Sequence, residues 1–312
     1  MKELERGYEM KKILNLIMVN ILVLGVFIGP SVSLAASNGT TEVVDEKFGA
    51  PIVVYGGNLT EEQKASVQES LKITANSDIQ EVKVTGQDLA TYLTDGDASA
   101  RMFSSAKITR KDAGKGLVIS IVTPDNITQV TSEMYANAML TAGVQDAVVE
   151  IAAPKPVTGH SALVGIYKAY EVRGGKLDPE RTDVANDELS VATRLTEDAG
   201  VDEAKVSELL TEIKKQIAEQ NPASREDVEK IVSEQLGNLK IELSEKDRQM
   251  LIDIMDRIRQ LDIDFSKWSD QLNDLSKTIE EKLGNLADNE GFWESVKNFF
   301  NNIIESIRSV FN

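Results

Sequence analysis

Near residue 175 the hydrophobic period of this chain changes, and the change limits the fold more than any other feature. Before it, short β-rich runs alternate with helical stretches. After it, the sequence is acidic, helical and nearly free of β signals. Ile52 to Tyr55, Ile79 to Val84, Ser104 to Ile108, Leu117 to Val122 and Ala147 to Ala152 read as strands. Leu59 to Leu71, Gln87 to Leu93, Asn126 to Thr141 and Ser161 to Val172 read as helices. Thr60 and Gln63 form a capping-box pattern, and Gly143 stands where a helix ends. The turn Gly114-Lys115-Gly116 predicts a hairpin between the third and fourth strands.

The first half also repeats itself. Asn58-Leu59-Thr60 and Asn126-Ile127-Thr128 each open a helix, and a strand follows each. Val84-Thr85-Gly86 and Val157-Thr158-Gly159 then precede a second helix. The recurrence reads as an internal duplication of a strand–helix–strand–helix unit. Chance likeness of short motifs is the alternative.

In the second half, Leu251, Ile254, Ile258, Leu261, Phe265, Trp268, Leu272, Leu275 and Ile279 recur at alternating steps of three and four. That is a heptad seam, which needs a partner helix along its length. An earlier helix, over Ala204 to Ala218 or Val228 to Leu243, or a second copy of the chain could supply it. Beyond a break at Leu283 to Gly291, the last segment gathers Phe292, Trp293, Val296, Phe299, Phe300, Ile303, Ile304 and Ile307 on one broad apolar face. Such a face must be covered. A bundle, an oligomer or a membrane interface could cover it, and these eight residues are the candidate contact surface.

The N-terminus speaks to compartment. Lys11-Lys12 precede an apolar run from Ile13, broken at Gly29-Pro30 and followed by Ser33-Leu34-Ala35. That is the layout of a secretory signal peptide with cleavage near Ala35–Ala36. An uncleaved signal anchor is the alternative, although the run is shorter than the roughly 20 apolar residues a spanning helix needs. The net charge is −17, and removing residues 1–35 takes away four basic and three acidic side chains, leaving −18. Nucleic acid and direct adsorption to anionic lipid both call for basic patches, so neither is expected as a partner. The chain has no cysteine, which excludes disulfides, thiol nucleophiles and a lipid-modified N-terminal cysteine.

Motifs for chemistry are scarce. The sole histidine, His160, adjoins Ser161, but neighbours entering a helix rarely face one another as a triad requires. Asp95 and Asp97 sit in a Gly-containing turn and fall short of a calcium loop. Gly114-Lys115-Gly116 lacks the ending of a phosphate loop. No catalytic, cofactor-binding or metal-ligating residue is assigned.

Six segments occur in order: Phe48-Gly49-Ala50-Pro51, Tyr55 through Gln63, Ser104-Ser105-Ala106, Thr123 through Thr128, Met134 through Ala138, and Val157 through Leu163. Together they resemble the DUF1002 family, secreted proteins of Bacillota named for their unknown function. The resemblance spans roughly residues 44–200. It implies an exported, envelope-associated protein and supplies no catalytic residues.

The expectation is an α+β chain: signal peptide at 1–35, α/β domain at 44–175, acidic helical domain at 176–288, and an amphipathic terminal helix at 291–312. Its expected role is an exported cell-envelope or surface protein that acts by binding. Its partner would be a protein or envelope component, or a second copy through the helices, with peripheral membrane contact as a further possibility. The rival class is a cell-wall hydrolase using carboxylates.

Overall fold

The structure, a computed structural model, describes residues 49–172 and 174–286. The signal segment and the candidate contact residues from Phe292 to Ile307 lie outside these described residues. Five strands form one mixed sheet in the order β2-β1-β3-β5-β4. They are β1 (Ile52–Gly56), β2 (Gln80–Val84), β3 (Ser105–Arg110), β4 (Leu117–Ile121) and β5 (Ala147–Ala152). Only β3 runs against the others. The helices are α1 (Glu61–Ser70), α2 (Gly86–Tyr92), α3 (Ser132–Ala142), α4 (His160–Val172), α5 (Pro179–Glu197), α6 (Glu203–Gln220), α7 (Arg225–Asn238), α8 (Glu245–Gln260) and α9 (Phe265–Leu286). The α+β reading therefore holds, with the sheet in the first half and helices alone in the second.

Local chemistry explains most boundaries. Thr60 accepts from the Gln63 amide at 3.2 Å and Gln63 answers to the Thr60 amide at 3.1 Å, closing the capping box of α1. Asp178, Asp202, Ser224 and Ser244 cap α5, α6, α7 and α8, each side chain accepting from amides of the first turn. Gly143 ends α3 in the left-handed region, at φ 89°.

Three expectations change. β3 and β4 do not form a hairpin, because β5 lies between them. The Lys111–Gly116 turn arches over the start of β5, and Asp146 fastens it: its carbonyl accepts from the Lys111 amide at 2.7 Å and its carboxylate from the Gly116 amide at 2.8 Å. β5 carries Val149 and Ile151, both fully buried, so it takes an interior place between two partners. The second correction concerns α3, which starts at Thr131 rather than Asn126. Pro124–Asn126 form one 3-10 turn, and the residues after it are drawn to the β5–α4 connection: Asn126 donates to the Ala153 carbonyl at 2.8 Å and the extended Ile127 bridges to Val157. The third concerns the seam. Its positions are buried where their side chains are described, but the chain leaves the helix between Gln260 and Phe265, so no single helix carries it. Asp262 and Asp264 flank that break, and Asp favours the position before a helix over its interior.

The repeated element order is present: β1-α1-β2-α2 and β4-α3-β5-α4 each join two parallel neighbours through a helix. The arrangement is not repeated. α1 covers the face carrying Val53 and Tyr55, through Val67 and Leu71. The opposite face, carrying Ile52, Val54, Val149 and Ile151, is covered by α3 over β4 and by α4 over β1 and β3. The first strand of one unit is interior and that of the other is an edge. The two units therefore trace different topologies.

The main apolar cluster does not stop at residue 175. It runs from β1, β3 and β5 through α3 and α4 into α5, α6, α8 and α9 without interruption.

Candidate functional site

Ligands of open α/β sheets usually sit at the carboxyl ends of the parallel strands. Most of the segments that carry the family resemblance gather there. Many of their polar groups are spent on one another, although the buried Ser104 hydroxyl has no hydrogen-bond partner. The Asn58 amide donates to the Met102 carbonyl at 3.0 Å and the Asn58 side chain accepts from the Met102 amide at 2.7 Å. Gly56 donates to Ser105 Oγ at 3.3 Å. A Cβ at Gly56 would lie 2.5 Å from the Met102 carbonyl oxygen, so only glycine lets these loops close. Thr123 accepts from the Ala153 amide at 2.9 Å, and Tyr135 donates to the Gly159 carbonyl at 2.7 Å.

His160 lies beside these loops at the head of α4. Its Nε2 is 3.3 Å from Thr193 Oγ1 of α5, and burial lowers its pKa against the opposing pull of Glu197. Asp97 serves its own turn, accepting from the amide and hydroxyl of Ser99. Gly114 and Gly116 take positive φ in the β3–β4 turn.

A second polar group lies deep among α3, α5 and α6. Lys214 Nζ meets Glu188 at 2.7 Å, and both side chains are sealed from solvent at 0% and 1% exposure. Thr141 donates to the same carboxylate at 2.5 Å. Lys214 also donates to the Asn137 carbonyl at 3.0 Å, and Asn137 reaches Thr211 at 3.1 Å. Burial draws the Lys214 pKa down while the adjacent Glu188 opposes the fall. Trp268 of α9 closes this centre from one side. Its indole donates to the Leu140 carbonyl at 3.1 Å, and its ring lies 5.5 Å from Lys214 Nζ. No substrate can reach a pair so enclosed; its role is to fix how the helices register.

The accessible site is elsewhere, at the sheet edge. α9 seats Trp268, Leu272, Leu275 and Ile279 against the core and passes beside β4. Between α9, β4 and α3 runs a cleft of about 240 Å³. Leu117, Ile119, Ala136, Leu140 and Leu275 give it apolar walls; Lys115, Glu133, Gln271, Asp274 and Thr278 supply its polar groups. In a parallel pair alternate residues face the neighbour. Gly116 and Val122 bond β5 or its leading residue, which leaves the backbone groups of Leu117, Ile119 and Ile121 directed to the outer edge. Sequence reading missed this site, because it is assembled from a strand, a helix and a distant helix whose residues share no motif. Among the described residues, no cluster of His, Asp or Glu is arranged to hold a metal ion. No helix among them is long and apolar enough to cross a membrane.

This architecture belongs with a known family. The family model described as "Protein of unknown function (DUF1002)" matches residues 55–275, so the chain is a member of the DUF1002 family. It is similar to a protein of Bacillus subtilis (strain 168) described as "Uncharacterized protein YpuA", at 32% identity over 309 residues, covering 97% of this chain and 100% of that one. No solved structure matches.

Proposed function

We propose that this chain is an exported cell-envelope or surface protein that acts by binding, and that the cleft beside β4 receives part of its partner. The observation that carries this reading is the cleft's composition and size. Sites for drug-sized ligands usually enclose roughly 300–1,000 Å³. At about 240 Å³ this one suits one or two anchoring side chains of a larger partner better than a run of sugar rings. The outward backbone groups of β4 suit an extended segment laid along the edge. The signal-peptide layout of Lys11 to Ala36 supports export. The aromatic face from Phe292 to Ile307 supports a second contact, to protein, to another copy or at a membrane surface.

The test pairs a cleft variant with a tail variant. Ile119→Arg places a charge on the cleft wall at a half-buried position. Replacing Phe299, Phe300 and Ile303 with Ser removes the tail face. Each should lower retention in the envelope fraction while the thermal transition stays near the parent's. Parental retention of both would defeat the reading.

A second reading, the carboxylate hydrolase, draws on Glu133 and Asp274 lining one cleft. Release of soluble fragments from purified cell wall, abolished in Glu133→Gln or Asp274→Asn, would favour it over binding.

A further inference from the structure

The contact of α6 against α9 contains a carboxylate with one buried oxygen left without a hydrogen-bond partner. Glu212 of α6 accepts from Ser276 of α9 at 2.8 Å and from Lys215 at 2.9 Å. Glu208 stands one turn earlier on the same face. Its Oε2 is buried and has no hydrogen-bond partner. Glu212 meets Ser276 and Glu208 is acted on by Glu280, so one turn back on α6 matches one turn forward on α9 and the two helices run antiparallel here. The charged groups acting on Glu208 are Glu212, Lys205 and Lys215 of α6 and Glu280 of α9. α3, the third helix at this contact, presents Asn137, which bonds Thr211 and the Ser207 carbonyl.

We infer that α9 is a proton-dependent latch, seated on α6 while Glu208 is protonated and loosened when Glu208 ionises. An ionised carboxylate here would have a buried oxygen without a donor and like charges at Glu212 and Glu280; both effects oppose it, and Lys205 and Lys215 offset them only in part. Separating α9 from α6 relieves both at once, by admitting water to Glu208 and by carrying Glu280 away. Burial first, and Glu212 and Glu280 next, push the Glu208 carboxyl up to about 7. The sign follows from that rise. The seated helix holds the proton more tightly than the released one. The stabilisation is complete below the ordinary value of 4.5 and is lost as pH climbs through about 7. α9 is also one wall of the cleft and leads in sequence to the tail, so the titration would change the width of the cleft. That consequence rests on the binding reading; the latch does not.

Hydrogen exchange of the full mature chain, followed by mass spectrometry, tests the latch. Protection of peptides from α9 is divided by that of β5, which removes the intrinsic pH dependence of exchange. Between about pH 5.5 and about pH 8.5 the ratio should fall at least ~10-fold in the parent. Glu208→Gln, neutral and of the same shape, should hold the ratio constant. A constant ratio in the parent, or an undiminished fall in Glu208→Gln, overturns the inference. Should Glu208→Gln fail to fold, Glu280→Gln decides: losing a like charge must move the midpoint of the fall to lower pH. An unmoved midpoint assigns the fall to another group and equally overturns the latch.

Discussion

At the residue scale, the sealed pair Glu188–Lys214 shows how a buried charge acts on a fold. Both ions have left water, and they are stable only because each has the other and a set of hydroxyl and carbonyl partners. Removing one partner leaves the other charge unanswered. Lys214→Met should destabilise the protein by about 3–5 kcal/mol in urea unfolding. The double variant Glu188→Leu with Lys214→Met should recover most of that loss, since an apolar pair of similar volume is often neutral or better. A double variant no more stable than the single would show that the surrounding hydroxyls, not the ions, set the cost. Gly56 makes a different point. Its environment is backbone rather than side chain, so Gly56→Ala cannot be absorbed by a rotamer change. It should cost about 1–3 kcal/mol by the same measurement, close to the range for overpacked cores. None of this was visible in the sequence: Glu188 and Lys214 belong to no motif, and Gly56 stands out only as part of the Tyr55–Gln63 segment.

At the element scale, α9 depends on a few large anchors. Trp268 is fully buried, bonds Leu140 of α3 and covers Lys214 of α6. Trp268→Ala should cost about 3–5 kcal/mol. The loss should appear first as faster amide exchange across α9, with β1 and β5 unchanged. Equal acceleration in the sheet would mean that α9 has no separate stability. The same element shows what periodicity can and cannot tell. Each position picked out by the steps of three and four, from Leu251 to Ile279, is buried where its side chain is described, because burial on one face leaves that signature whatever the partner; Ile252, Met255 and Ile263, buried beside them, fall outside the pattern. The steps could not show that Asp262 to Asp264 interrupts the helix, because the same spacing continues across the break. Strand positions were legible for a similar reason, through alternation and flanking turns. Strand neighbours were not. β3 and β4 are joined by a short turn, and only the burial of β5 on both sides explains why it separates them. The cleft was illegible for the same cause. Gly116, Ala136 and Asp274 are distant in sequence, and their meeting is a property of the packing.

For the whole molecule, one apolar cluster links the sheet to the helical half, so the walls of the cleft stand on a continuous support. The cleft, the latch and the route to the tail all meet at α9. The proposed export predicts that intact-mass analysis of protein recovered outside the cell should show an N-terminus near Ala36. A full-length chain confined to the membrane fraction would instead indicate an anchor. The central claim is that the chain acts by binding at the cleft. It is tested most directly by a photo-crosslinking residue at Thr278, an exposed cleft position, set against the same residue at the exposed Lys230 of α7. On intact cells, Thr278 should give a discrete adduct that Lys230 does not, and Ile119→Arg should abolish it. Equal adducts from both positions, or an adduct from Thr278 that survives Ile119→Arg, would contradict binding at this site.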